Sequence, residues 1–386
     1  MSQNTLAASL QPAPPGRGIH AIGGEEGGPG LSAVGDPGFN LRPDDLHFST
    51  SVEPYFNALV QGAMGGNGEV QLQEAYLESR TSPGGWQLKV GRFRSDLGYP
   101  HRKHPGQWGY SQGHVPYWFL KKPFYLRDTG IQLTWKPGTD YHARIGVEAF
   151  QGDEELLTRF DGASVLKGAG LGEELVDRHG EPKDGPRLFT AFAEVAPDIG
   201  AKQELQGSVY GVFSTDHQEL NYDPSTELLK GDYWMAGTNW AYGLSNPTPF
   251  GKGKLKLTAE YLYSVKDLDV AYHGEDPAQV GTEEEGSQEG YYLQARYGFE
   301  PNLKADVRLE VVGLVSGKGQ ESMAGSETWS SSSHIAAQGT WSPTEHSSLR
   351  VRWSLSDIEQ GSYENSSNRV FLQYNMDLGH HQGGFL

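Results

Sequence analysis

Strict alternation of apolar and polar residues runs through most of this chain. Between 303 and 311, Leu303, Ala305, Val307, Leu309 and Val311 share one face, and Lys304, Asp306, Arg308 and Glu310 share the other. The same period of two recurs in 141–149, 254–263, 291–299 and 348–355. Successive side chains of a strand point to opposite faces, whereas a helix brings together residues three and four apart. Alternation sustained over so many segments therefore predicts an all-β chain. Less regular strands are expected near 45–52, 55–63, 69–79, 86–96, 130–136, 188–195, 203–213, 232–242, 333–341 and 368–378, with one more near 4–11. Residues 13–43 are rich in Gly and Pro, show no period and read as loop.

The apolar faces need a partner, and the composition says which. Only 36% of residues are hydrophobic, yet aromatics reach 11% and there are 52 glycines. Disordered chains lack aromatics, so disorder is excluded. No window approaches the ~18 consecutive apolar residues of a membrane helix. Half-apolar strands with abundant Tyr and Trp suit a β-barrel set in a membrane, where aromatics gather at the two interfaces. The net charge of −18 argues against a nucleic-acid partner. The absence of Cys rules out thiol chemistry and Cys-ligated metals. The N-terminal stretch has no basic region followed by an apolar one, so an export signal, if the protein is exported, is not within this sequence.

Connection lengths give the topology. VEPY, TSPGG, KPGTD, APDIGA, FEPN and SPTE are short, and SNPTPFGKG is of medium length. The segments 98–127, 152–186, 215–230, 267–288 and 317–331 are long, and from Gly98 onward long and short alternate. Outer-membrane barrels have short periplasmic turns and long outer loops. The expectation is one domain over 1–386, a transmembrane up-and-down antiparallel β-barrel. Sixteen strands place both termini on the short-turn side. Fourteen would close if 45–63 were a single strand, but Pro54 cannot donate to a central ladder.

Residues 44–136 carry a resemblance. DDLHFSTSVEPYFNALVQGAMG, EVQLQEAYLESRTSPGGWQLKVGRFRSDLG, HPGQW and LRDTGIQLTW, with VFLQYNMDLG near the end, resemble a family of Gram-negative outer-membrane barrels. That family often goes by the name of zinc-regulated TonB-dependent outer membrane receptor, or of porins related to the phosphate-selective type. The matching positions are Glu74, Ala75, Tyr76 and Leu77, then Gly91, Arg92, Phe93 and Gly98, then His104, Pro105, Gln107, Trp108, Asp128 and Gly130. The resemblance implies an outer-membrane location, contact with lipid and lipopolysaccharide, and a homo-oligomer, a trimer by analogy. It also implies that the 98–127 loop folds into the lumen. A TonB-dependent transporter has about 22 strands and a plug, for which 386 residues are short. The final Phe385 is followed by Leu386, where many such barrels end on an aromatic.

If the apolar face meets lipid, the polar face lines the lumen. The inward basic residues are then Lys89, Lys136, Arg144, Lys254, Lys256, Arg296, Lys304, Arg308, Arg350, Arg352 and Arg369. The inward acids are Glu148, Glu194, Glu260, Asp306, Glu310 and Asp377. Basic residues are in excess on this face although the chain is acidic, because most acids lie in the long connections. Basic rings in a pore favour anions; cross-strand pairing would instead leave a mixed, weakly selective lumen. In the 98–127 loop, Trp108, Tyr110, Tyr117, Trp118, Phe119, Phe124 and Tyr125 have to pack somewhere, and Arg102, Lys103, Lys121 and Lys122 would stand at a constriction. The alternative is a loop lying over the mouth or on a neighbouring protomer. His101, His104 and His114 fall in the same loop, but their spacing pairs none of them on one strand or helix face. No metal site and no cofactor are expected, and no GxSxG, HExxH or P-loop motif points to catalysis. The expected function is a channel for diffusion of small hydrophilic solutes or ions, possible anion preference included. The alternatives are a binding or structural barrel, or metal uptake with another envelope protein.

Overall fold

The structure, a computed structural model, describes residues 2–9, 38–42, 44–52, 54–64, 70–98, 114–120, 126–152, 163–168, 170–179, 185–221, 226–245, 251–314, 318–322, 325–329, 331–344, 346–360 and 363–378. Among the described residues, nineteen strands form one sheet. They are β1 (Ser2–Ser9), β2 (Gly38–Arg42), β3 (Asp44–Val52), β4 (Phe56–Met64), β5 (Val70–Ser79), β6 (Trp86–Arg94), β7 (Arg127–Trp135), β8 (His142–Phe150), β9 (Leu188–Ala196) and β10 (Gln203–Asn221). The series continues with β11 (Glu227–Leu244), β12 (Leu255–His273), β13 (Glu283–Glu300), β14 (Leu303–Val312), β15 (Lys318–Ser322), β16 (Gly325–Trp329), β17 (Ser332–Thr344), β18 (Ser347–Gln360) and β19 (Tyr363–Leu378). Among the described residues, three short α-helices lie in the long connections: α1 (Val115–Leu120), α2 (Ala163–Gly168) and α3 (Glu173–His179).

The pairings are antiparallel and follow chain order from β3 to β14 and from β17 to β19, with β14 joined to β17. The run then returns on itself, because β1 pairs with β19 on one side and with β2 on the other. β2 and β3 are separated by one residue and count as one stave. The β15–β16 hairpin pairs with β13 through 285–287 and stands outside the ring. Sixteen staves remain, with β1 as the one that the Gly/Pro-rich segment separates from the rest. A ring of pairings leaves no edge strand, which satisfies the backbone in lipid.

The two faces are those of a soluble protein turned inside out. Val147, Leu293 and Val307 are each 53% exposed, while Glu148, Asp306 and Arg308 on the opposite face are buried. Near the short turns the outer belt is aromatic, with Trp86 and Trp135 6.1 Å apart and Tyr297 and Phe299 5.0 Å apart. Toward the other rim Trp234 and Tyr263 meet at 5.7 Å. The TSPGG turn depends on Gly85, whose φ is +83 and whose carbonyl accepts Lys136 N–H at 2.9 Å. A Cβ there would run into the Lys136 carbonyl.

As Pro54 implied, 45–63 is a hairpin and not a single strand. Three expectations are corrected. Within the expected 13–43 loop, Gly38–Arg42 is a strand; residues 10–37 lie outside the described ones. The expected loops 215–230 and 267–288 are largely strand: β10 reaches Asn221, β11 starts at Glu227, and β12 reaches His273 before β13 starts at Glu283. There Asp267 pairs with Glu285 and Asp269 with Glu283. Asp267 and Asp269 are exposed there while Leu268 and Val270 are buried against Leu229, so the alternation continues with its polarity reversed and the outward face turns polar. Within the expected 317–331 loop stand β15 and β16.

Candidate functional site: the polar lumen and the segment that enters it

β6 stops at Arg94, two residues before the expected end, and the chain turns inward. Ser95 N–H donates to the Leu126 carbonyl at 2.9 Å, which joins the two ends of the 98–127 loop. Ser95 Oγ and Thr190 Oγ1 both donate to Glu148. Asp96 N–H donates to Glu148 Oε1 at 3.1 Å. Gln132 Nε2 donates to Glu148 Oε1 at 2.6 Å and to Asp96 Oδ2 at 3.1 Å. Arg144 closes the group, with Nη1 2.7 Å from Asp96 Oδ2 and Nε 3.4 Å from Glu194 Oε1. His142 Nε2 lies 2.8 Å from Glu194 Oε1. Buried carboxylates persist only when their oxygens are satisfied in this way. Lys89, also inward, lies 3.5 Å from Glu78 and over the rings of Tyr76 and Phe93.

Gly98 then carries the chain toward β10 and β11. Its φ is +80, and a Cβ would collide with the Asn239 side-chain amide and crowd the Tyr210 ring.

The described chain resumes at His114 against another part of the wall. His114 Nδ1 is 3.1 Å from Glu310 Oε1 and 3.0 Å from Arg308 Nη1. Its ring stacks on Tyr292 at 3.7 Å. Val115 N–H donates to Glu310 Oε1 at 3.3 Å. Tyr117 OH donates to Glu260, and so does Tyr210 OH. Helix α1 therefore sits inside the ring, held on β12–β14 by two buried carboxylates. Around it Leu97, Val115, Tyr117 and Leu126 join inward apolar residues that include Phe93, Phe150, Phe192, Tyr210 and Tyr292 in one buried cluster.

The remaining basic residues gather on β12–β14 and β18–β19. Arg296 Nε is 2.6 Å from Asp306 Oδ1. Arg350 Nη1 donates to Gln373 Oε1 at 3.5 Å, and Arg352 lies 4.9 Å over Phe371. Lys256, Lys304 and Arg369 are half-buried on the inward face. Lys136 and Lys254 lie just outside strands, the first directly after β7 and the second, exposed, directly before β12. The Asp377 side chain lies outside the described ones. By stave order, the β7–β8 carboxylate group and the β18 arginines stand half a ring apart.

Several expected residues are not described: Arg102, Lys103, Trp108, Tyr110, Lys121, Lys122, Phe124, Tyr125, His101 and His104, together with the side chains of Trp118 and Phe119. Among the described residues no three His, Asp or Glu side chains converge to hold a metal ion. The sequence reading did not single out Ser95, Asp96, Gln132, Thr190, Tyr210 or Tyr292. The inward parity of Gln132, Thr190, Tyr210 and Tyr292 was legible, but the inward turn of Ser95 and Asp96 beyond the end of β6 was not, and the convergence on Glu148 and Glu260 spans several staves.

The fold and its polar interior define a porin-like β-barrel. Solved structures share this fold over most of their length. The outer-membrane channel DcaP of Acinetobacter baumannii matches with a TM-score of 0.57 and 13% identity, over 97% of this chain and 94% of that one. OmpT of Vibrio cholerae, in its trimer form, matches with a TM-score of 0.53 and 10% identity, over 97% and 96%. Salmonella typhi OmpF in complex with daunomycin gives 0.52 and 9%, over 97% and 96%. These likenesses support a porin-like barrel and lend no support to the TonB-dependent receptor name. An uncharacterized protein of Aquifex aeolicus is 26% identical over 281 residues, 71% of this chain. The chain spans about half the length of that curated relative, 55%. No protein-family model matches the chain.

Proposed function

We propose that this protein is a channel of the Gram-negative outer membrane that admits small hydrophilic solutes by diffusion. The observation that carries the reading is the inverted partition of side chains. Apolar residues cover the outside of a closed ring of pairings, and charged and amide residues fill the inside. An outer face of that kind is stable only in lipid, and the polar interior gives ions and solutes a hydrated path. The segment 95–98 and helix α1 narrow that path. Arg350, Arg352 and Arg369, with Lys304, bias it toward anions, while Arg308 is balanced by Glu310 and Asp96, Glu148 and Glu194 face them from the other wall. Lipopolysaccharide is the expected outer-leaflet lipid. OmpT of Vibrio cholerae has a trimer form, and a homotrimer is the assembly we assign here.

The test is conductance of the refolded barrel in planar bilayers under a salt gradient. The wild-type reversal potential is expected on the anion side, and Arg350→Glu with Arg352→Glu is expected to move it toward cations. An unchanged potential removes these arginines from the path. The buried apolar cluster around α1 favours a second reading, a barrel whose lumen is shut and whose outer loops bind a partner. Absence of conductance at any voltage would support it.

A further inference from the structure

We propose that the aperture of this barrel is set by a proton-sensitive clasp, in which His114 holds helix α1 on the wall at neutral pH and releases it in acid. The inference rests on the channel reading for its consequence, but the clasp itself is a matter of side-chain geometry.

One ring nitrogen has two incompatible neighbours. His114 Nδ1 lies 3.0 Å from Arg308 Nη1, which can only donate, and 3.1 Å from Glu310 Oε1, which as a carboxylate can only accept. With Nδ1 unprotonated, Arg308 donates to it and Glu310 keeps Val115 N–H as its donor. Arg308 and Glu310, whose Nη1 and Oε1 are 3.5 Å apart, then balance one another. His114, Arg308 and Glu310 together then carry no net charge. A proton on Nδ1 turns the acceptor into a donor. Arg308 loses that acceptor, and a second cation competes for Glu310.

The surroundings decide the direction. On β14 the ring faces Arg308 and Glu310, on β13 the face of Tyr292, and on its own helix Tyr117, whose hydroxyl is bound to Glu260 of β12. Across Glu310, His334 Nε2 of β17 is 3.8 Å from Oε2, and Arg308, Arg352 and Arg369 all act on His334. Tyr292 favours a cation over its face but brings no counter-charge. Acid thus adds positive charge where Glu310 is already paired with Arg308. The strands are fixed by their ladder. Helix α1 is held on that wall by side-chain contacts instead.

The chain has no cysteine, so one can be introduced cleanly. Val115→Cys places a thiol at a buried position beside His114, and Ala201→Cys in an exposed turn serves as reference. The readout is the rate of maleimide modification at 115 divided by that at 201, on the folded barrel in detergent, at about pH 8 and about pH 5.5, which bracket the imidazole range. The ratio is expected to rise by roughly tenfold or more in acid, equivalent to a shift of about one pK unit in the clasp. In the His114→Gln background it is expected to stay low at both pH values, because the amide oxygen still accepts from Arg308. With Glu310→Gln it is expected to be high at both. A ratio that does not change with pH, or that rises equally with His114→Gln, overturns the proposal. Single-channel conductance is the second readout: it is expected to increase in acid for the wild type and not for His114→Gln. A barrel that never conducts but shows the thiol response would overturn the channel reading and leave the clasp intact.

Discussion

Arg144 Nη1 lies 2.7 Å from Asp96 Oδ2, and this ion pair joins the start of the inward segment to the β8 wall. Both side chains are close to buried. Asp96→Ala leaves Arg144 with Glu194 at 3.4 Å and removes one acceptor of Gln132. Breaking a buried pair from one side costs about 3 kcal/mol. The expected outcome is a lower unfolding midpoint in urea, with larger single-channel conductance as the segment loosens. Arg144→Lys should recover only part of the loss, because a lysine cannot reach Asp96 and Glu194 with separate fork nitrogens.

Gly98 has a positive φ and the Asn239 amide at its back. Gly98→Ala therefore meets two penalties: backbone strain of about 1–2 kcal/mol, and a clash. Asn239→Ala removes the clash and leaves the strain. The double variant is expected to be more stable than Gly98→Ala and less stable than Asn239→Ala in the same urea titration. Equal stability of Gly98→Ala and wild type would mean that the segment does not adopt this turn.

Asp216 sits at a bulge in β10 between Ser214 and His217, with φ of +67. Its carboxylate lies 2.8 Å from Lys230 Nζ and 3.7 Å from Arg187 Nη1. Asn tolerates this backbone conformation better than Ala does. Asp216→Asn should therefore lose the ion pair alone, and Asp216→Ala should cost about 1 kcal/mol more. Limited proteolysis of the 152–186 connection checks it: cleavage should be faster in the Asn variant and faster still in the Ala variant.

His179 ends α3, outside the membrane-spanning part of the barrel. Burial first, then Lys230 and Arg178, hold its imidazole below the ordinary value. A histidine with a lowered folded pKa favours the neutral form. Its stabilising contribution is therefore present above the ordinary imidazole pKa and declines as pH falls from there toward the folded value. α3 and α2 pack on Leu228 through Val176, Leu166 and Leu171, so this part should loosen in mild acid. The amide protection factors of 170–179, corrected for the intrinsic pH dependence of exchange, are expected to fall across that window, and His179→Gln should flatten the response.

Much of the architecture was legible in the residues. Leu303, Val307 and Leu309 alternate with Asp306, Arg308 and Glu310, and that pattern names both the strand and its two faces. Pro54 marks the turn that makes 45–63 a hairpin. The outer ends of β10–β13 were not legible, because Asp267 and Asp269 take the exposed face there and Leu268 and Val270 the buried one, the reverse of the partition lower on the same strand. The inward turn at Ser95 was not legible either. Its anchor, Glu148, belongs to a strand two staves away.

What the sequence determined by itself is the period, the faces and the short-turn end of each hairpin. Those are local properties, set by side-chain alternation and by Pro and Gly in the turns. What only the tertiary structure decided is which inward side chains meet. Ser95 finds Glu148 across 53 residues, Tyr117 finds Glu260 across 143, and His114 finds Glu310 across 196. A period of two reports the face of a strand but carries no information on the register between distant staves, nor on where a loop comes to rest. Closing the ladder and burying α1 supplied both, because inside the ring each buried carboxylate had to find its donors.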